Sequence, residues 1–270
     1  IGAALEALVA VETAVIVVSA SNGVEVNTRR MFKEATDRGL SRVVVVNKLD
    51  CEKVDFPAVV AAIQETFGKQ CVPFNVPDAT GEEFSRVVCV LDPPNGDAGF
   101  PLDPAAVRGQ LIDAVVEADE TLTEKFLTDG EVSPAELEAA LPTALAAGTL
   151  VPIFCTSAKK DVGVRELLDA LSRHGLSPSY ARRRLAGLSV GSNGHAKPVE
   201  PTETSEFLGQ VFKVVNDRYV GHLSFIRVLA GKLLPNHQLY DINTGKAVRV
   251  GHVLSVQGKS HVQVAEAVPG

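Results

Sequence analysis

Val43-Val44-Val45-Val46-Asn47-Lys48-Leu49-Asp50 is the stretch that decides the fold. Four β-branched residues in succession predict a strand buried on both faces of a parallel sheet. A polar cluster of mixed charge follows at once, at the strand's C-terminal end. Ligands of open α/β sheets sit outside that end. The pattern Asn-Lys-x-Asp also has chemistry suited to guanine. The Asp50 carboxylate can accept two parallel hydrogen bonds, from N1–H and from the 2-amino group. Adenine has an acceptor at N1 and no amine at C2, so the same carboxylate repels it. The Lys48 stem can lie along the face of a base, and the Asn47 amide can brace the loop or reach N7. A solvated loop after a buried strand can carry the same letters, so the pattern needs a second element to support it.

Bulk properties set limits on the rest. The chain has 270 residues, 46% apolar and 22% charged, an ordinary globular composition able to build a sizeable core. Its net charge of -7 argues against a general nucleic-acid coat, so no free DNA binding is expected. The four cysteines, Cys51, Cys71, Cys89 and Cys155, are scattered without a C-x-x-C pair. That usage fits reduced thiols in a cytosolic protein better than disulfides or a zinc site. The six histidines have no metal-ligand spacing. No apolar run has the length of a membrane span, so no membrane partner is expected. The chain opens at Ile1 in helical sequence without a cap and stops at Gly270 amid β-like sequence, which predicts a piece of a longer protein.

Working outward, Ala3 to Ala10 reads as the end of a helix and Thr13 to Ala20 as a second buried parallel strand. Ser21-Asn22-Gly23 is a turn. Thr28 to Arg38 and the segment opened by Asp55 and Pro57 read as helices, stopped by Gly39 and Gly68. This alternation implies a parallel sheet with right-handed crossovers. Residues 69–150 change character. Strand-like runs at Val72 to Val76 and Phe84 to Leu91 precede a turn at Asp92-Pro93-Pro94-Asn95-Gly96. One apolar helical stripe follows from Val107 to Phe126. Ser133-Pro134-Ala135-Glu136 is a capping box opening another helix, which Pro142 should kink or end. Val151 to Cys155 returns to buried strand, and Val162 to Leu171 to an amphipathic helix stopped by Gly175. Gly191-Ser192-Asn193-Gly194 and Pro198 to Pro201 have linker composition. The Arg182-Arg183-Arg184 run is read as solvated linker in preference to a phosphate contact. From Phe207 on, short strands and regular turns predict a small barrel.

The second element is Thr156-Ser157-Ala158-Lys159, at the end of the 151–155 strand. If the two strands are sheet neighbours, the loops meet. The Ala158 N–H can then donate to guanine O6, the Ser157 hydroxyl can hold Asp50, and Lys159 can cover the other base face. The chain resembles the elongation factor G family of translational GTPases. The residues that carry the likeness are Ala10 to Ala20, Val45 to Asp50 and Thr156 to Lys160, together with Glu124 to Leu127, Val162 to Ala170 and Val220 to Gly231. Cys51-Glu52-Lys53 departs from the family, which has arginine and glycine there. With the long linker, that departure predicts a divergent paralogue.

The resemblance implies the C-terminal half of a P-loop GTPase domain with an inserted α+β subdomain, followed by an all-β translation-factor barrel. The corresponding division is 1–68 and 151–176 for the GTPase domain, 69–150 for the insertion, 177–206 for the linker and 207–270 for domain II. It implies guanine-base contacts from Asn47, Lys48, Asp50, Ser157, Ala158 and Lys159, GTP or GDP as ligand, and a cytoplasmic location. It also implies Mg²⁺ and the ribosome as partners of the intact parent, whose hydrolysis would drive translocation. A ribosomal protection or recycling factor, or a non-hydrolysing paralogue bound to the ribosome or a protein, are the alternatives. No phosphate loop is found: Gly258-Lys259-Ser260 has Val253 where glycine is required, and Asp78-Ala79-Thr80-Gly81 is a chance match in the insertion. The chain by itself is therefore expected not to hydrolyse GTP.

Overall fold

Valine-rich sequence forms the centre of a four-stranded parallel sheet. A computed structural model describes residues 1–93, 99–181, 189–190, 197–217 and 221–270. Pro94, Asn95 and Gly96 of the predicted turn, the Arg182-Arg183-Arg184 run, the 191–194 linker sequence and Val220 lie outside the described residues. Two compact units form, one of residues Thr13–Leu176 and one of Ile1–Glu12 with Ser177–Gly270.

In the first unit β1 (Thr13–Ser19), α2 (Val26–Asp37), β2 (Ser41–Asn47), α3 (Phe56–Phe67) and β3 (Cys71–Pro73) follow in turn, α1 (Gly2–Leu8) preceding them in the second unit. A hairpin of β4 (Asn75–Pro77) and β5 (Val87–Cys89) leads to α4 (Pro104–Val116), α5 (Glu120–Asp129) and α6 (Pro134–Ala147). The unit closes with β6 (Val151–Cys155) and α7 (Val164–His174). The sheet order is β1-β2-β6-β3, so β6 is threaded between two strands that are neighbours in sequence. Every residue of β6, and of β2 up to Val46, is buried, as expected for strands covered on both faces. Helix α2 packs on β1 and β2, and its Phe32 stacks on Phe67 of α3 with ring centroids 3.9 Å apart.

Several expectations are corrected. Strand β1 is an edge strand with alternating burial, and Val15 and Val17 are exposed. Within these 270 residues its continuous apolar run is therefore not covered on both faces. Residues 71–73, read as part of the insertion, form the fourth strand of the main sheet, parallel to β6. The helices of the 69–150 block share one core with the sheet, with Leu111, Val115, Leu137 and Leu141 in the same cluster as Val44 and Ile153. The single stripe from Val107 to Phe126 is two helices, because the Asp119 carboxylate caps α5 through the N–H groups of Thr121 and Leu122. Pro142 neither ends nor interrupts α6, which runs on to Ala147. Leu168, read with Leu167 and Leu171 as part of the apolar face of the amphipathic helix, points to solvent, whereas Leu167 and Leu171 pack on the core.

In the second unit a short hairpin, β7 (Ser189–Val190) with β8 (Lys197–Pro198), precedes the six main strands. These form three antiparallel hairpins: β9 (Leu208–Asp217) with β10 (Gly221–Ala230), β11 (Gln238–Asp241) with β12 (Lys246–Arg249), and β13 (Val253–Gln257) with β14 (Ser260–Val264). They gather about Val228, Leu233 and Val253, and the Leu233–Ala267 bridge ties the last segment in. Arg227 donates to Glu12 at 2.7 Å in a largely buried ion pair within the unit.

Candidate functional site

Strand order brings the two polar loops together. Val44, Val45 and Val46 pair with Ile153, Phe154 and Cys155, so β2 and β6 end side by side. The Thr156 N–H continues the ladder to Val46 O at 2.9 Å, and the Leu49 N–H returns to Thr156 O at 3.3 Å. The loops are thus joined by backbone before any side chain takes part.

Side chains then fix the geometry. The Ser157 hydroxyl donates to Asp50 Oδ1 at 2.6 Å. This bond is the largest cause of an Asp50 carboxyl pKa below its ordinary value, with smaller contributions from the Lys159 and Lys160 charges. A carboxylate has about four acceptor positions, so one bond from Ser157 leaves room for two parallel donors. Ser157 is fully buried, while Ala158 and Lys159 are exposed beside it. The Asn47 Oδ1 accepts from the Ala158 N–H at 3.0 Å and lies 3.4 Å from the Thr156 hydroxyl. Asn47 therefore braces the loop, the first of the two roles its sequence allows. The Ala158 N–H already has a partner in Asn47, so donation to O6 requires exchanging or sharing that bond.

Lys48 is exposed and sits at φ 68°, in the left-handed region that non-glycine residues rarely occupy. Such a residue costs of order 1–2 kcal/mol, and conformations of this kind cluster at ligand sites. All six residues named from sequence lie on these two adjoining loops.

Three further contributors are not assigned to the base site by the sequence reading. The Gly81 N–H donates to Leu49 O at 2.7 Å, and Lys160 Nζ donates to Glu82 O at 2.5 Å and Phe84 O at 3.3 Å. Nothing local in the sequence distinguishes Lys160 from its neighbour Lys159. Gly163 caps α7 at φ 74°, and a Cβ there would meet Cys155 O at 2.1 Å. A glycine at a helix start where Ser, Thr, Asp or Asn is favoured is a legible signal. Asp78 organises its own turn, accepting from Ala79 N, Ser85 N, Ser85 Oγ and Arg86 N at 2.6–3.2 Å. Among the described residues no group of three or more His, Cys, Asp or Glu side chains is placed to hold a metal ion.

The fold and its paired loops define an α/β domain of GTP-binding type followed by an antiparallel β domain. The family model described as the elongation factor Tu GTP binding domain matches residues 2–176, and that of elongation factor G domain 2 matches residues 206–270. A relative from Thermotoga maritima, an elongation factor G-like protein, is 32% identical over 267 residues, which are 96% of this chain and 39% of the relative. A solved structure from Thermus thermophilus superposes with a TM-score of 0.76 at 29% identity, over 100% of this chain and 39% of that one. This chain belongs to the elongation factor G-like translational GTPases. It spans 39% of the length of the two relatives described, and the family is one that binds guanine nucleotide. Among the described residues no helix is long and apolar enough to cross a membrane.

Proposed function

We propose that this chain supplies the base-reading half of a guanine-nucleotide site in a ribosome-acting GTPase. The observation that carries the reading is the Ser157–Asp50 bond, formed across two loops far apart in sequence. It pins a carboxylate that stays ionised at neutral pH and can take both N1–H and the 2-amino group. Lys48 and Lys159 flank it with exposed aliphatic stems that can cover the two base faces. Ala158 supplies O6 recognition once its N–H turns from Asn47 to the base, which adenine's amine would refuse.

In this reading residues 1–68 and 151–176 are the GTPase domain, 69–150 an insertion whose helices share its core, 177–206 a linker and 207–270 domain II. The intact protein binds GTP with Mg²⁺ in the cytoplasm, engages the ribosome and couples hydrolysis to translocation. Phosphate and metal contacts dominate such catalysis, and the sequence carries no phosphate-loop motif. This chain alone is accordingly expected to bind GDP in the millimolar range, about 4 kcal/mol, and to leave GTP intact. Micromolar affinity by calorimetry would contradict that.

The direct test is Asp50→Asn. An amide can donate to the C2 oxygen of xanthine, so preference should move from guanine to xanthine in a competition between GDP and xanthosine diphosphate. Unchanged discrimination would remove Asp50 from the site.

A further inference from the structure

We propose that Lys160, anchored to the Asp78–Phe84 turn, is a positioning residue that aims the Asp50 carboxylate at the 2-amino group of guanine. The proposal rests on the base-site reading above. Its basis is a closed ring of hydrogen bonds. The Lys160 N–H donates to Ser157 Oγ at 3.1 Å. That bond occupies an acceptor position of the hydroxyl and directs its proton to Asp50 Oδ1, 2.6 Å away. The Lys160 ammonium reaches the carbonyls of Glu82 and Phe84. The same turn closes back on the first loop, where the Gly81 N–H meets the carbonyl of Leu49, the residue before Asp50.

The anchor is rigid enough to serve. The Asp78 carboxylate gathers three N–H groups and the Ser85 hydroxyl, and Thr80 Oγ1 donates to Val54 O at 3.0 Å. Gly81 is buried at φ 78°, and a Cβ there would meet nothing closer than 3.7 Å, so conformation and not space calls for glycine. A lysine that merely solvated the surface would leave its ammonium in water. Here it is committed to two backbone carbonyls of a segment nearly eighty positions away in sequence. Bidentate recognition demands a fixed carboxylate plane. Without the tether, the Lys160–Ser157 end of the ring can rock, and the outer donor, the 2-amino group, is lost first.

The test compares guanosine with inosine, which lacks only that amino group. Binding to the 270-residue chain is followed through the amide resonances of Leu49 and Ser157. The wild type is expected to favour guanosine by about tenfold or more, the scale of a hydrogen bond to a charged group. Asp50→Ala should bring the ratio close to one. Lys160→Met should reduce it to about threefold or less, and Lys160→Arg, which can still reach both carbonyls, should keep the wild-type ratio. If Asp50→Ala abolishes discrimination but Lys160→Met keeps it, the positioning role is overturned while the base site stands. Equal weakening of both nucleosides by Lys160→Met, with the ratio intact, would likewise overturn it as a purely structural effect. Failure of either nucleoside to shift the two resonances, or an unchanged ratio in Asp50→Ala, would remove the base-site reading and this inference together.

Discussion

The two units of this chain differ sharply in how much they bury. In the α/β unit, β2 and β6 hide almost every residue, and one core runs from Ile16 to Cys155. In the β unit, β12 is exposed throughout and β14 nearly so, and among the described residues the core cluster is small, centred on Val228, Leu233 and Val253. The first unit can hold a strained lysine and a pinned carboxylate at its rim because the strands beneath are fixed. The second is held by hairpin ladders, turns and a few ion pairs, and its hairpins present Val211, Val214, Tyr240 and Val248 to solvent. The difference teaches where precision is available. A site that must hold a base to a fraction of an ångström belongs on the deeply buried sheet.

The largest expected effect tests that contrast directly. Ile153→Ala in β6 removes a fully buried side chain and should cost about 2–5 kcal/mol. Val248→Ala in β12, half exposed, should fall within about 0.5 kcal/mol of wild type. Urea denaturation followed by amide resonances of each unit separates the two. Similar costs would mean that the β unit has a core its exposed strands do not reveal.

A smaller effect sharpens the same comparison with one substitution made twice. Gly163 and Gly258 both have positive φ, at 74° and 60°. Added side chains there meet different surroundings: Cys155 O at 2.1 Å for Gly163, open space for Gly258. Gly258→Ala in the β13–β14 turn should cost only the conformational penalty of about 1–2 kcal/mol. Gly163→Ala should exceed it and disturb the Ser157–Val162 bridge, visible as shifts at Ser157 and Ala158. Equal costs would show that the end of β6 yields as easily as a hairpin tip.

Legibility from sequence follows the same division between local and distant causes. The four valines, the Ser133 capping box and the Gly39, Gly68 and Gly175 stops act within a few residues, and each was readable. The meeting of Asp50 with Ser157 was readable as chemistry, because two complementary loops ended two buried runs. It became geometry only through the pairing of β2 with β6, which no local pattern encodes. The exposure of Val15 and Val17 depends on β1 being an edge strand, and a run of valines looks the same at an edge and at a centre. The break between α4 and α5 turned on Asp119 acting as a cap inside an otherwise regular stripe. Lys160 was illegible for the plainest reason: its partners are backbone carbonyls of residues 82 and 84, which carry no sequence signal at all.

The smallest expected effect concerns surface charge, and it asks whether either unit leans on it. Glu136 closes the capping box of α6, and its pKa is pushed down to about 2, first by its hydrogen bond from Lys125 and then by Ser133. Asp241, at the β11–β12 turn, is also lowered, first by the Thr244 hydroxyl and then by the Asn243 N–H. A depressed carboxyl pKa contributes stability that is complete above its unfolded value, 4.5 for Glu136, and lost as pH falls through the folded value. Acidification from about pH 5 to about pH 2 should therefore weaken both features. The consequences should differ, because α6 stays anchored by buried Leu137, Leu141 and Leu145, whereas no residue of β11 or β12 is fully buried. Amide exchange at Gly245, whose N–H bonds to Asp241 O at 2.7 Å, should rise relative to exchange at Leu141 across that window. Glu136→Gln should reproduce only the α6 part, as faster exchange confined to the first turn. Fraying that spread from Glu136 to Leu145 would mean that the buried face does not hold the helix by itself, and the contrast between the units would narrow to one of degree.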